Sequence, residues 1–363
     1  SVGYTGAQNF NPYQALAMFS YYQTQAYDNW IGSYLMGLPN KDLKWQKTGD
    51  YNFGFDLNLF GRMSISYDYY IQNTEDQLLA LTIPPSMGFL SYMENLGSTE
   101  NKGMELKMNL HLLLDTRRDC YVSTFFSIAG NSNKLKKISD VLRNYNDTAD
   151  ENILNGKSNK PQIRFIEGQS MNSIWAVRSL GIDPVTGEEV FLTGDGRTIM
   201  EWRAEDQVVC GDTRPKCTGN FGLNADYKGF SLNLSFYYQF GGQIYNQTLV
   251  DRVENADFRY NMDRRVMSGR WRKAGDDSFF KDIRDHSRTN LTSRMVQDNN
   301  VLQFKSLNLS YSFSEPMLRK MSVERLKLTF SMEDLFYWAS VKRERGLDYP
   351  YTHSFNFGLQ LQF

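Results

Sequence analysis

The stretch that decides the fold is residues 354–363, which read Ser354-Phe355-Asn356-Phe357-Gly358-Leu359-Gln360-Leu361-Gln362-Phe363. Every second residue is apolar, and the residues between are polar or glycine. Successive side chains of a β-strand point to opposite faces. The alternation therefore predicts a strand with one wholly apolar face and one wholly polar face.

The same alternation of period two recurs along the chain. It covers residues 51–59, 63–71, 104–112, 221–227, 230–238, 307–313 and 326–332, with weaker cases at 122–128 and 13–22. We expect about ten strands of roughly nine to eleven residues, the length that crosses a bilayer when a strand is tilted.

The connections between these strands fall into two classes that alternate along the chain. The short ones are 60–62, 115–119, 228–229 and 314–322, and the long ones are 73–101, 130–218, 241–303 and 334–353. In an up-and-down arrangement, every short turn then lies at one rim and every long loop at the other. The pattern predicts an all-β, antiparallel, up-and-down transmembrane β-barrel with short periplasmic turns and long extracellular loops.

Composition excludes several classes of protein. The 363 residues include 40 Lys and Arg against 41 Asp and Glu, so the net charge of −1 lacks the excess of cations typical of nucleic-acid binding. Aromatic residues make up 14% of the chain, which argues against global disorder. No apolar run approaches the roughly 18 residues of a membrane-spanning helix. A soluble barrel or β-sandwich with its apolar face inward stays an alternative, but the long strands and loops favour a membrane barrel.

Five stretches, in order, resemble one known family. They are Ser1 to Tyr13, Leu43 to Thr48, Leu96 to Leu106, Gly211 to Phe230 and Leu302 to Phe313. Together they resemble the C-terminal half of the SusC/RagA family of TonB-dependent transporters from the Bacteroidetes outer membrane. The resemblance implies that the first residues close one strand and that a periplasmic turn follows them.

The resemblance also implies a domain assignment. Residues 1–363 would form the C-terminal portion of the barrel, about ten strands of the family's 22, with the plug domain absent from this sequence. Ten strands in an open sheet leave two edges whose backbone groups lipid cannot satisfy. We therefore expect this segment alone to be unable to transport.

The function implied by the resemblance is nutrient import at the cell outer membrane. The expected cargo is a glycan or oligosaccharide, taken up with a SusD-like lipoprotein and with energy from TonB-ExbB-ExbD, which would act through the N-terminal part. Peptide import, as in the RagA branch, is the alternative within the family. A soluble β-rich carbohydrate-binding module is the alternative from another class.

Aromatic residues in the long loops are the candidates for substrate contact, because sugar rings stack on aromatic faces beside Asn, Asp and Arg. The five candidates are Trp175, Trp202, Tyr245, Tyr260 and Trp271. Packing of the loops on a partner protein explains the same residues equally well.

No catalytic, cofactor or metal site is predicted. His111 with Ser123 or Ser127 is the only arrangement that could serve a barrel enzyme, and a solvated histidine is the simpler interpretation. Cys210 and Cys217 leave two alternatives open, a local disulfide in an oxidising compartment or two free thiols.

Two glycine positions carry local predictions. Asn101-Lys102-Gly103 is expected to start a strand, with the glycine permitting a strained entry. Tyr227-Lys228-Gly229-Phe230 is expected to form a tight hairpin.

Overall fold

A computed structural model describes residues 1–7, 15–28, 30–83, 86, 88–95, 97–140, 142–147, 159–321, 323–342 and 353–363, without the side chains of 23–27, 82, 320 and 321. Its main feature is one antiparallel sheet of ten strands in the order β1-β4-β5-β8-β9-β14-β15-β18-β19-β20. These strands are β1 (Val2–Ala7), β4 (Gln46–Leu59), β5 (Met63–Glu75), β8 (Gly97–Asp115), β9 (Cys120–Ile138), β14 (Cys217–Tyr227), β15 (Phe230–Phe240), β18 (Val301–Ser312), β19 (Arg325–Ala339) and β20 (Ser354–Gln362). Strands β1 and β20 lie at its two ends, so the sheet is part of a barrel and is not closed.

The remaining elements lie in the long connections. They are β2 (Phe19–Tyr27), β3 (Trp30–Leu35), β6 (Leu78–Thr82), β7 (Ser91–Asn95), β10 (Ser173–Ile182), β11 (Glu189–Leu192), β12 (Thr198–Ile199), β13 (Gln207–Asp212), β16 (Gln243–Tyr245) and β17 (Val296–Asp298). Short 3₁₀ turns occupy Ala204–Asp206, Arg264–Met267 and Ser293–Met295, a π-helical turn occupies Leu249–Glu254, and helix α1 occupies Glu315–Met321. No helix among the described residues is both long and apolar enough to span a membrane.

The register joins the apolar positions of all the strands into one face. Phe53 lies opposite Tyr69, Tyr69 opposite Met104, and the pairing continues to Phe330 opposite Phe357 at the far end. This face is open: Phe53 is 67% exposed and Phe357 is 83% exposed. The exposed face contradicts the inward-facing core of a soluble barrel or sandwich, and it matches a wall that meets hydrocarbon.

The opposite face of the sheet is polar. At its centre Asn224, Asn233 and Asn308 lie side by side on three neighbouring strands. The Asn233 amide donates to the Asn224 side-chain oxygen, and the Asn308 amide donates to the Asn233 oxygen at 3.5 Å. A ladder of amides of this kind suits a wall that lines water.

The buried clusters of the described residues lie in the connections and not on the sheet's apolar face. One contains Ile174, Tyr245, Leu249, Val250, Val253, Phe280, Leu291 and Met295. The other contains Leu81, Leu135, Ile138, Leu142 and Phe165, at the long-loop end of β9. The loops at this rim are therefore folded structures with cores of their own.

Several strands are longer than predicted. Strands β8 and β9 have 19 residues each, where nine to eleven were expected. At about 3.3 Å per residue they run roughly 60 Å, so even when tilted they extend past a hydrocarbon layer of about 30 Å. Their upper ends carry the second buried cluster, which explains the extra length.

The first part of the chain corrects two predictions. The predicted strand at 13–22 does not enter the large sheet: within the described residues, Phe19–Tyr27 pairs with Trp30–Leu35 in a separate hairpin. The tenth strand of the sheet is instead Val2–Ala7, and Ala7 pairs with Gln46 at the long-loop rim. The connection after Ala7 therefore starts at the rim opposite the short turns, so the predicted periplasmic turn there is wrong. Residues 8–14 lie outside the described residues.

Three of the four short connections are turns of two to four residues. Turns 60–62, 116–119 and 228–229 are short as predicted, and the last has positive φ at Lys228 (46°) and Gly229 (88°), which confirms the tight hairpin. The fourth connection contains helix α1 and is more than a turn.

Gly103 was predicted to permit a strained entry at the start of a strand, and this prediction is wrong. Strand β8 begins at Gly97, so Gly103 lies inside a regular strand. Tyr70 lies directly opposite, and a Cβ at position 103 would meet its ring. The Tyr70 hydroxyl accepts a hydrogen bond from Asn131 at 2.7 Å. The glycine therefore makes room for a cross-strand aromatic ring.

The two faces of β18 provide a test of which side meets lipid. We expect Leu307→Arg, on the apolar face, to lower the free energy of unfolding by about 2–4 kcal/mol, because a charge would enter hydrocarbon. The neighbouring Asn308→Arg, on the polar face, serves as the matched control and should stay within about 1 kcal/mol of the wild type. Urea unfolding in lipid vesicles measures both, and equal losses would contradict the assignment of the faces.

Candidate functional site

The two longest connections fold together into one unit, here named the loop module and defined as residues 159–216 and 241–300. Strands β12, β11, β10 and β13 form a sheet in that order. Strand β10 also contacts the second connection, since the Val177 amide donates to the Leu291 carbonyl at 3.2 Å and Val177 forms a parallel bridge with Thr292. Ile174 and Leu291 belong to the same buried cluster. Residues more than 100 positions apart thus form one structure.

A buried guanidinium lies at the centre of the loop module. Arg294 contacts Glu189 at 2.8 Å and Glu254 at 2.6 Å, and its side chain is 4% exposed. Thr292 donates to Glu189 at 2.6 Å, and Thr289 donates to Glu254 at 3.0 Å. Burial acts to lower the pKa of Arg294, but the hydrogen bonds to Glu254 and Glu189 outweigh it and raise that pKa. The arginine is therefore a permanent charge that joins β11 to the second connection.

A second buried arginine, Arg270, donates hydrogen bonds to backbone carbonyls instead of carboxylates. Arg270 is 7% exposed and donates to the carbonyls of Val266 at 2.6 Å, Glu254 at 3.0 Å, Lys281 at 3.2 Å and Val253. A buried arginine that satisfies four carbonyls substitutes for regular secondary structure in this segment. It fixes the path of residues 253–281.

A cleft of about 840 Å³ opens beside the buried ion pairs. Its lining includes two of the predicted tryptophans together with charged and polar side chains. The lining residues are Thr186, Gly187, Glu188, Glu189, Phe191, Met200, Trp202, Glu254, Trp271, Lys281, Asp282, Arg284, Asp285, Ser287, Arg288, Thr289 and Asn290. The lining therefore combines aromatic faces with charged and polar groups.

Both tryptophans of the cleft are held by their indole nitrogens. Trp202 donates to the Leu291 carbonyl and Trp271 to the Pro184 carbonyl, each at 2.9 Å. One face of the Trp271 ring lies against Gly187, where a Cβ would be 2.7 Å from the ring. Gly187 also has a φ of +79°, so a turn and a ring contact both require glycine here.

The ionic groups in the cleft are mostly paired. Asp282 contacts Arg284 at 2.6 Å, and Lys281 contacts Asp285 at 3.3 Å. The hydrogen bond from Arg284 lowers the pKa of Asp282. The cleft therefore offers fixed dipoles and paired charges.

The five predicted contact residues do not form one site. Trp202 and Trp271 line the cleft, whereas Tyr260 is 70% exposed and is not among its lining residues. Trp175 and Tyr245 are 7% and 8% exposed, and they pack inside the loop module. Because both rings are buried, they cannot stack on a ligand that arrives from solvent. Burial also raises the pKa of the Tyr245 hydroxyl, which stays protonated.

Sequence reasoning missed Glu189, Glu254 and Arg294. They are separated by 65 and 40 positions in the chain, and no motif joins them. Their common feature is burial of charge, which only the folded loop module creates.

The structure also locates the cysteines and the histidine of the sequence hypotheses. Among the described residues, no group of three or more His, Cys, Asp or Glu side chains is arranged to hold a metal ion. Cys210 and Cys217 are free thiols, and the Cys210 thiol donates to the Ala176 carbonyl at 3.3 Å. His111 lies opposite Ser123 in the register of β8 and β9.

Comparisons with known proteins agree with the barrel. Residues 2–177 match the family described as TonB dependent receptor-like, beta-barrel. TonB-dependent receptor P3 of Formosa agariphila is 28% identical over the whole of this chain and 39% of its own length. TonB-dependent receptor SusC of Bacteroides thetaiotaomicron is 25% identical over 89% of this chain and 32% of its own length. The chain thus spans about two fifths or less of these relatives.

Solved structures show the same fold. The structure of the RagAB peptide transporter superposes with a TM-score of 0.78 at 20% identity, over the whole of this chain and 40% of that chain. The RagAB peptide importer in its closed-closed state gives 0.77 at 21% identity, with the same coverage.

The fold and its two rims define a segment of an outer-membrane β-barrel. The chain is similar along its length to the β-barrel region of TonB-dependent receptors, SusC among them, as its motifs predicted. Receptors of this kind are proteins of the outer membrane, which is the location that the sequence predicts for this chain.

The buried ion pairs give a prediction for the loop module. Replacing Arg294 with Met should destabilise the module by about 3–5 kcal/mol, because two carboxylates would stay buried without a cation. Limited proteolysis and hydrogen exchange of residues 173–298 measure the effect. The control is Arg259→Met, whose side chain is 83% exposed beside Asp257 and which should leave protection unchanged. Full protection of the Arg294 variant would contradict a central role for the arginine.

Proposed function

We propose that this chain forms pore wall and external loops of an outer-membrane importer that takes up a hydrophilic oligomer with energy from TonB. The observation that carries the proposal is the two-faced sheet, apolar outside and polar inside, with the folded loop module at one rim. A polar inner wall suits the passage of solutes that carry their own hydrogen-bonding groups. The long loops then face the cell exterior, where cargo arrives.

The proposed partners are those expected for an importer of this class. A SusD-like lipoprotein would cover the long-loop rim, and TonB-ExbB-ExbD would supply the energy. The loop module supports this proposal because it is rigid: its two connections share a buried cluster and the Glu189–Arg294–Glu254 ion pairs. A rigid surface can dock a lid repeatedly without paying to order itself each time.

The proposed cargo is an oligosaccharide. Trp202 and Trp271 line the cleft with their nitrogens already bonded, so they contribute ring surface and not donors. Ring surface beside amide, hydroxyl and carboxylate groups is suited to sugars, whose faces are apolar and whose edges carry hydroxyls. Tyr260 is proposed as an outer contact, since its ring is exposed on the same module.

Peptide import is the second candidate. It is favoured by the paired charges of the cleft, Asp282 with Arg284 and Lys281 with Asp285, which could exchange partners with the charged groups of a peptide. Two of the similar solved structures are of the RagAB peptide importer and the RagAB peptide transporter.

One uptake experiment separates these cargoes. Cells are given a mixture of oligosaccharides or a mixture of peptides, and depletion is followed by mass spectrometry. We expect Trp202→Ala with Trp271→Ala to raise the half-saturating oligosaccharide concentration about tenfold, because ring contacts contribute about 0.5–1.5 kcal/mol each. Trp338→Ala, a ring on the sheet's outer face that is 51% exposed, is the matched control.

The controls decide between the outcomes. Uptake that persists without TonB would contradict the energy source. Depletion of peptides and not oligosaccharides, with the same loss in the double variant, would establish the second candidate. An unchanged half-saturating concentration in the double variant would remove the cleft from either function.

A further inference from the structure

The outer face of the sheet carries a cluster of lysines directly above its apolar band. Lys102, Lys134 and Lys136 lie on the long-loop ends of β8 and β9, and Lys47 lies on β4 at the same rim. All four are exposed. We name this cluster the lysine patch.

The register places the lysine patch on the lipid side. Lys102 lies opposite Ile71, and Ile71 lies opposite Tyr51, both on the apolar face. Lys102 is two residues from Met104, which belongs to the same face and is 46% exposed. The lysines are therefore a continuation of the outer wall above the hydrocarbon-facing residues.

The burial of the alternate residues confirms this direction. Thr74, Thr99, Asn133 and Leu135 point the other way, and they are 4%, 1%, 8% and 0% exposed because the loops cover the inner face here. Lys134 alternates with Asn133 and Leu135, so its side chain points outward.

One carboxylate holds two of the lysines in position. Glu100 contacts Lys102 and Lys136, each at 3.0 Å, and its own side chain is 14% exposed. The side chains of the two lysines are 44% and 53% exposed. Each ammonium has three N–H donors, so donors remain for a ligand after the contact with Glu100.

The cluster is local and not a ring around the wall. On β15, β18 and β19 the same rim presents Tyr238, Leu302 and Trp338, which lie in one row across the three strands. At this rim of β4, β5, β8 and β9, the four lysines of the patch and the neighbouring exposed Lys137 stand against Glu75 and Glu100, a net charge of +3 by simple count. The excess of positive charge is therefore confined to one part of the rim, and the other part described here carries apolar and aromatic residues.

We propose that the lysine patch binds the phosphate of an outer-leaflet glycolipid whose acyl chains lie on Tyr51, Ile71 and Met104. The inference rests on the proposed orientation, in which the long-loop rim faces outside. Lysine binds phosphate as a point charge, and basic groups at the membrane surface attract anionic headgroups. The apolar residues just below select a lipid over free phosphate, because a free anion gains nothing from them.

Co-purification tests the site in the protein extracted from its own outer membrane. Bound glycolipid is measured per protein by mass spectrometry and by phosphorus content. Lys102→Gln, Lys134→Gln and Lys136→Gln together should reduce retained glycolipid at least about tenfold. The control is Arg117→Gln, Arg118→Gln and Lys228→Gln, three exposed cations at the short-turn rim, which should leave retention unchanged.

Folding and function are followed separately. Heat-dependent gel mobility reports whether each variant is folded, and Lys134→Gln alone, which leaves the Glu100 contacts intact, should give a smaller loss in the same direction. Equal retention in the folded triple variant and the wild type overturns the proposal. Displacement of the lipid by inorganic phosphate alone would show a free-anion site and would also overturn it.

The test is independent of cargo import. If the proposed import function fails, uptake is absent while the wild type still retains glycolipid through the patch. The Trp202 and Trp271 double variant should retain the full amount, because the cleft lies on the loop module and not on the outer wall.

Discussion

The structure depends on one constraint, that backbone polar groups facing hydrocarbon must be paired within the protein. Ten antiparallel strands satisfy it at every boundary between neighbouring strands from Val2 to Gln362, although the outer edges of β1 and β20 have no partner strand in this sheet. Because side chains alternate along each strand, the ladder also separates the residues into two faces. Pairs such as Phe53 with Tyr69 and Leu234 with Leu307 keep the outer face apolar across every strand boundary.

The same constraint explains where the dry cores are. A sheet whose apolar side faces lipid has no need of a second layer, so the core clusters form where the chain leaves the membrane. There the long connections must fold in water, and they do so around Val250, Val253 and Met295. Arg294 and Arg270 satisfy carboxylates and carbonyls that the irregular backbone would otherwise bury unpaired. These contacts hold together the segments that line the cleft.

The outer wall of the sheet is not uniform along its long-loop rim. Aromatic rings such as Trp338 occupy the rim on one part of the sheet, as rings do at membrane interfaces. Charged residues around Glu100 occupy it on the other. The two halves of the wall thus present different chemistry to the same lipid layer.

Local periodicity was sufficient to predict nine of the ten strands of the large sheet, because alternation is a property of neighbouring residues. It failed at Val2–Ala7, which is too short to show the pattern, and at 13–22, where residues alternate in a hairpin outside the large sheet. Strand ends were also missed: the upper parts of β8 and β9 lose the alternation because Leu135 and Ile138 are covered by loops.

The sequence by itself determined that this chain is a two-faced sheet with short and long connections on opposite rims, because period and spacing are written along the chain. The tertiary structure alone decided which loop aromatics are available to a ligand. Trp175 and Tyr245 look the same as Trp202 and Trp271 in sequence, but the first two are buried and the other two line the cleft. Burial depends on contacts between segments more than 100 residues apart, and no local pattern encodes those contacts.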